Sequence, residues 1–174
     1  MPSSTLNSKS SPRGFFPLFI PVSGKQALII GGGNIALRRL KTLLQFDCSA
    51  HIIAAEVNEE LEKTAAGHSG IVSIERRPFR TGDISGTKGE PPFLVVAATN
   101  KREINRAVAE ECAALNIPVS VADCKEESTF YFPAIAIHGK IIAGISSGGA
   151  DHGAVRDAAK KIREVLNEDT NRNP

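Results

Sequence analysis

The chain has little excess charge: 21 Lys and Arg against 19 Asp and Glu leave a formal net charge of +2 over 174 residues. A balance so near neutrality gives no bulk electrostatic case for nucleic-acid binding. There is no C-x-x-C pair, only the scattered Cys48, Cys112 and Cys124, which excludes a zinc-finger or disulfide framework and suits a reducing cytoplasm. The four histidines, His51, His68, His138 and His152, lack ligand-type spacing, so no residue is nominated as a metal ligand. No stretch approaches the ~20 apolar residues that cross a bilayer. The apolar segment Phe15 to Val22 is short and interrupted by Pro17 and Pro21, unlike a signal-peptide h-region. Repeats and low-complexity tracts are missing outside the polar ends. The expectation is a soluble chain of one domain with a small appendage, large enough for its own core.

What is present is organised around Ala27-Leu28-Ile29-Ile30-Gly31-Gly32-Gly33-Asn34-Ile35-Ala36. An apolar run enters a glycine cluster and a helical pattern follows, which predicts a buried parallel strand, a tight turn and a helix N-terminus. Gly31-x-Gly33-x-x-Ala36 has the dinucleotide fingerprint spacing in its G-x-G-x-x-A form. Gly31 permits the turn, Gly33 lets backbone approach a pyrophosphate, and Ala36 allows close helix–strand packing. The helix N-terminus then faces the anion.

Taken in order, residues 1–14 read as a disordered tail rich in Ser, Pro and Asn. Phe15 to Val22 is expected to lie across the body with its aromatics buried beside the first strand. Strand expectations follow at Gln26 to Ile30, Ser49 to Ala55, Ile71 to Glu75, Pro92 to Ala98 and Pro118 to Ala122. Helices are expected from about Asn34 to Phe46, with Ile35, Leu40, Leu43 and Leu44 at core spacing, and after Asn58, an N-cap followed by Glu59 and Glu60. A third helix should open with Asn100 and Glu103 as a capping-box-like pair and bury Ile104, Ala107, Val108, Cys112 and Leu115. Thr81 to Pro92 should be irregular. This alternation predicts an α/β, Rossmann-type open parallel sheet with helices on both faces.

After Asp123 the pattern changes. Thr129 to Ile137 and Lys140 to Ser146 read as a hairpin turning at His138-Gly139. A last helix from about Asp151 should stripe Val155, Ala158, Ala159, Ile162, Val165 and Leu166. The expected divisions are a Rossmann domain at 15–125, a dimerisation or substrate-side segment at 126–167, and a disordered tail at 168–174.

Three places could carry chemistry. The end of the second strand, Ala55 with Glu56 just after it, offers an acid for a ribose hydroxyl and no arginine for a 2′-phosphate, which favours NAD over NADP. Asp123 ends the fifth strand on the carboxyl edge, where a carboxylate could act as general acid or base; a solvated turn aspartate is an equal reading. Ser146-Ser147-Gly148-Gly149 precedes a helix, where backbone N–H groups could form a second anion cradle or simply reverse the chain.

Several of these stretches together resemble the siroheme synthase dehydrogenase domain. They are Phe16-Pro17-Leu18-Phe19, Gly31-Gly32-Gly33-Asn34-Ile35-Ala36 with Arg39 behind it, Ala97-Ala98-Thr99-Asn100, Val119-Ser120-Val121-Ala122-Asp123, Phe130-Tyr131-Phe132-Pro133-Ala134 and Ile145-Ser146-Ser147-Gly148-Gly149. The resemblance implies NAD-dependent oxidation of precorrin-2 to sirohydrochlorin, with ferrous or cobalt ion insertion a second activity in some members. It implies cofactor contacts at Asn34, Ile35, Ala55 and Glu56 and beside Ala98, Thr99 and Asn100. Asp123 takes the place of the essential aspartate, and Ser146, Ser147 and Gly148 lie near the tetrapyrrole. A polycarboxylate substrate suits a cationic rim, for which Arg38, Arg39, Arg76, Arg77 and Arg80 are candidates. The hairpin and last helix favour a homodimer, and neither a nucleic-acid nor a membrane partner is expected. Ala150-Asp151-His152 stands where the family usually has a Ser-Pro pair, which leaves a non-catalytic cofactor- or tetrapyrrole-binding module, or a chelatase-only protein, as alternatives.

Overall fold

A computed structural model describes residues 15–85 and 90–168; the expected tail at 1–14, part of the irregular stretch after Thr81, and all of the expected tail at 168–174 but Glu168 lie outside them. The chain divides into two units, Ile20–Tyr131 and a second that gathers described residues 15–19 and 132–168.

In the larger unit the apolar runs become strands and the 3.6-period segments become helices. Strands β1 (Gln26–Ile30), β2 (Ser49–Ile53), β3 (Val72–Glu75), β4 (Leu94–Ala97) and β5 (Val119–Val121) alternate with α1 (Asn34–Leu44), α2 (Glu59–Ala66) and α3 (Arg102–Leu115). All strand pairs are parallel, in the order β3-β2-β1-β4-β5. The direction of winding reverses between β1 and β4, so the crevice beyond their carboxyl ends is the place such a sheet offers a ligand.

Alternation along the strands fills two cores. Leu28, Ile30, Ile53, Val95, Ala97, Val119 and Val121 face Val108, Ala109 and Cys112 of α3, with Ile84 from the β3–β4 connection. The intervening Ala27, Ile29, Ala50, Ile52 and Val96 are equally buried, and α1 and α2 pack together and against β1, β2 and β3. Because β1 is hydrogen-bonded on both edges and buried on both faces, it has no apolar surface left for another segment. The expected burial of the N-terminal aromatics is therefore wrong: Phe15, Phe16 and Phe19 are 52%, 87% and 67% exposed.

The Asn58 cap forms as expected, its Oδ1 accepting from the Leu61 N–H at 2.7 Å. Two helical expectations need correction. The buried face of α1 is Ala36, Leu37, Leu40 and Leu43, with Ile35 exposed, because positions 36, 40 and 43 share one side of the helix and 35 lies off it. The N-cap of α3 is Lys101 with no side-chain cap, and Leu115 is exposed because Asn116 turns left-handed there (φ 55°) and ends the helix.

Within the second unit, β6 (Ala134–His138) and β7 (Ile141–Ile145) pair antiparallel with His138 opposite Ile141. The turn is therefore Gly139-Lys140, one residue later than expected, with Gly139 at φ 55°. The first strand starts at Ala134 rather than Thr129, after Pro133, which has no N–H to give a ladder. Helix α4 (His152–Glu168) packs on β6, and Arg163 Nη2 donates to the Ile135 carbonyl at 2.7 Å. Of the expected stripe, Ala159 is buried whereas Val165 is 58% exposed.

The thiols differ in reach. Cys48 and Cys112 are fully buried and Cys124 is not. Burial raises both inner thiols, and burial with the Glu111 charge pushes Cys112 up to about 12. Since the thiolate is the nucleophile, brief iodoacetamide treatment of the native protein at mildly alkaline pH should alkylate Cys124 alone. All three should react after denaturation, with peptide mass spectrometry as the readout; early labelling of Cys112 would contradict this core.

Candidate active site

The glycine turn is held between two neighbouring loops. Gly31 N–H donates to Ile53 O at 2.9 Å, Ala98 N–H to Ile30 O at 2.8 Å, and Asn58 N–H to Gly32 O at 2.9 Å. Each glycine then has its own reason to be one. Gly31 has φ 120°, and a Cβ there would lie 2.3 Å from Ala98 O. A Cβ on Gly32 would lie 2.1 Å from Glu56 O and 2.8 Å from Val57 Cα. At Gly33 nothing lies within 4 Å of a Cβ position. Gly31 and Gly32 thus admit neighbouring backbone, while Gly33 faces open space. The fingerprint spacing skips Gly32, so sequence reasoning missed it; only its contact with the β2–α2 connection shows the need.

Gly33 is also the N-cap of α1, with no side-chain cap and no acid in the first turn. By contrast, α2 has the Asn58 cap and Glu59 and Glu60, and α3 has Glu103 in its first turn. The first-turn N–H groups of α1 and its positive dipole end therefore face outward beside a position open to a ligand. A pyrophosphate fits this cradle. Asn34 and Ile35 are exposed next to it, and Asn34 Oδ1 accepts from Asn58 Nδ2 at 3.0 Å. Ala55 and Glu56 are exposed just past β2, and Asn100 is exposed past β4. Ala98 is 8% exposed and forms a wall through its backbone. The structure brings Gly31, Gly33, Asn34, Ile35, Ala55, Glu56, Ala98, Thr99 and Asn100 to the carboxyl end of this sheet.

Asp123 follows β5 at the same edge. Its Oδ1 accepts from Arg102 Nη1 at 3.4 Å, and Arg102 also pairs closely with Glu127. The Glu127 hydrogen bond leads in raising the Arg102 guanidinium above its ordinary value. Asp123 is therefore an accessible carboxylate with one side held by a cation.

The basic candidates separate by partner. Arg77 forks onto Asp83 at 2.6 and 3.0 Å and reaches Glu75 at 2.7 Å, and Arg76 pairs with Glu62 at 2.6 Å. Arg77 is thus shared between two carboxylates, whereas the Arg76 pair lies exposed at the surface. Arg38 is exposed and Arg39 half-buried on α1. Burial first, and the Arg38 charge second, hold the Arg39 guanidinium down to about 10, which still leaves it cationic at neutral pH.

In the second unit, Gly148 (φ 63°) closes on the Phe15 ring, where a Cβ would lie 2.9 Å from Cε2. Gly148 N–H donates to Ser146 Oγ at 3.1 Å, and Ser147 Oγ accepts from Asp151 N–H at 2.9 Å. Asp151 Oδ1 in turn accepts from Ala154 N–H at 2.8 Å. An acid thus already occupies the start of α4, where the sequence suggested an anion cradle. Among the described residues no group of three or more His, Cys, Asp or Glu could hold a metal ion, and no helix is long and apolar enough to cross a membrane.

Comparison with known proteins extends this geometry. A family described as "Putative NAD(P)-binding" matches residues 18–134. A protein of Ruminiclostridium josui called "Probable multifunctional siroheme biosynthesis protein HemA" is 39% identical over 153 residues, 87% of this chain and 28% of that protein. The siroheme synthase of Saccharophagus degradans is 34% identical over 152 residues, 87% of this chain and 31% of that protein. The chain thus spans under a third of the length of these relatives. Among solved structures, the precorrin-2 dehydrogenase SirC aligns at a TM-score of 0.64 with 25% identity, covering 89% of this chain and 71% of that one. With its glycine cradle at the β1–β4 reversal and this match over most of its length, the chain belongs to the NAD(P)-binding family that includes the siroheme synthase N-terminal domain.

Proposed function

We propose that this chain catalyses NAD-dependent dehydrogenation of precorrin-2 to sirohydrochlorin. The observation that carries the reading is the alignment with a precorrin-2 dehydrogenase over 89% of the chain, with an uncapped glycine-led helix N-terminus in the cofactor crevice. NAD, when bound, supplies the hydride acceptor. The first-turn N–H groups of α1 hold its pyrophosphate. Glu56, past β2, receives the ribose hydroxyls and disfavours a 2′-phosphate. Ala55 and the Ala98-Thr99-Asn100 segment line the rest of the cofactor path.

Asp123 takes the proton that leaves the macrocycle as hydride departs, and Arg102 keeps its carboxylate oriented. Arg38 and Arg39, neighbours on α1, bind substrate carboxylates. Ser146, Ser147 and Gly148 contribute substrate contacts. The division at 15–125 and 126–167, a homodimer and a cytoplasmic setting go with this reading, and ferrous or cobalt ion insertion is a second activity it allows.

An anaerobic assay of precorrin-2 with NAD and NADP side by side tests it. NADH formation with sirohydrochlorin as product is the expected result, with NADP much the poorer cofactor. Cofactor binding without oxidation would leave a binding module, and metal insertion into sirohydrochlorin without any oxidation would leave a chelatase.

A further inference from the structure

Asn105 is a buried polar residue, 0% exposed, at the end of the first turn of α3. Helix interiors gain nothing from a buried amide unless it is fully paired. Here it pairs with one residue. Asn105 Oδ1 accepts from Thr99 N–H at 3.0 Å and lies 2.7 Å from Thr99 Oγ1, while Asn105 Nδ2 donates to Thr99 O at 3.0 Å. The Thr99 hydroxyl also accepts from Lys101 N–H at 3.2 Å. Both backbone groups of Thr99 are thus satisfied by one side chain. The amide orientation follows from chemistry, since a donor and an acceptor of the same residue must meet Oδ1 and Nδ2 respectively.

Thr99 adjoins one of the two crowded contacts at the glycine turn. The Ala98 carbonyl and the Thr99 nitrogen are the atoms that a Cβ on Gly31 would meet, at 2.3 and 3.1 Å. The stretch after β4 is therefore a wall of the glycine turn, and the amide of Asn105 fixes where that wall stands. Leu, the apolar residue of similar volume, would fill the core but leave the half-buried Thr99 N–H and C=O without the Asn105 amide. Asp would supply the acceptor but set a second oxygen against the Thr99 carbonyl.

We propose that Asn105 is a positioning residue for the dinucleotide, holding the Ala98–Thr99 wall against the glycine turn so that the crevice keeps its width. It touches no reacting atom. The inference rests on cofactor binding at this crevice, and the test separates the two.

NADH binding to the full chain is followed by the rise in its fluorescence, with thermal unfolding measured in parallel. N105L should weaken NADH binding roughly ten- to a hundredfold, as expected for stranding half-buried backbone groups. Val108→Ala creates a cavity on the same helix without touching Thr99; it should lower the melting temperature comparably and bind NADH like the parent. N105D should bind better as pH falls, more steeply than the parent, because only the protonated carboxyl can donate to the Thr99 carbonyl. Should N105L fail to fold, the N105D profile carries the test. Parent-like NADH affinity in N105L, equal loss in V108A, or an N105D profile parallel to the parent's would overturn the role of Asn105. Failure of the parent itself to bind NADH would overturn the cofactor reading, and this role with it.

Discussion

Alanine at Gly32 is expected to cost about 3 kcal/mol or more of stability, the upper range for overpacking against unyielding atoms. The clash there is 2.1 Å to a backbone carbonyl and 2.8 Å to a Cα, so neither neighbour can relax by changing rotamer. Gly31→Ala should be at least as severe, because a 2.3 Å approach to Ala98 O is compounded by φ 120°, a conformation L-residues avoid. Gly33→Ala should behave differently. Its backbone (φ −89°, ψ −168°) is ordinary for any residue and its Cβ site is open, so stability should stay within about 1 kcal/mol of the parent. Its NADH affinity should nevertheless fall about tenfold or more, because the new methyl stands where the pyrophosphate approaches backbone. Denaturant unfolding and NADH titration of the three variants check this together. Parent-like stability in Gly32→Ala would contradict the packing of the turn against Glu56. Undiminished affinity in a folded Gly33→Ala protein would remove the anion from this cradle.

Asp123→Asn should lower precorrin-2 turnover by roughly two to four orders of magnitude, the usual yield of a positioned acid or base. NADH affinity should be unchanged within about twofold, because binding and proton transfer fall on different strands and removing a transition-state interaction leaves ground-state binding intact. Asn keeps the shape and the acceptor that faces Arg102 Nη1 at 3.4 Å, so the change tests ionisation rather than packing. Glu127 remains as the other partner of Arg102, which limits any disturbance of the loop. Single-turnover measurements with saturating NAD would read the chemical step directly. Full turnover in Asp123→Asn would move the proton to another base and leave the cofactor assignment standing.

The order of strands and helices, the buried β1 run and the Asn58 cap were legible because each depends on neighbours within one turn or strand. The 31-x-33-x-x-36 spacing belonged to the same class, as did the placing of Asp123 at a strand end. Local patterns also misled. Asn100 and Glu103 have capping-box spacing, yet the N-cap of α3 is Lys101 and the amide that pairs with the wall is Asn105, which looked like an ordinary helix position. The aromatics at Phe15, Phe16 and Phe19 suggested core, but the strand meant to receive them was already covered on every side.

Sequence by itself determined the alternation of elements and hence the parallel sheet, because hydrophobic period and turn chemistry are written in neighbouring residues. Tertiary structure alone decided which glycines are obligatory, which carboxylates Arg76 and Arg77 pair with and which side chain satisfies the backbone of Thr99. Those outcomes depend on atoms brought within a few ångströms from distant parts of the chain, as when Glu56 closes on Gly32 and Ala98 on Gly31. No spacing along the chain encodes such an approach; it exists only once the β1, β2 and β4 ends lie side by side.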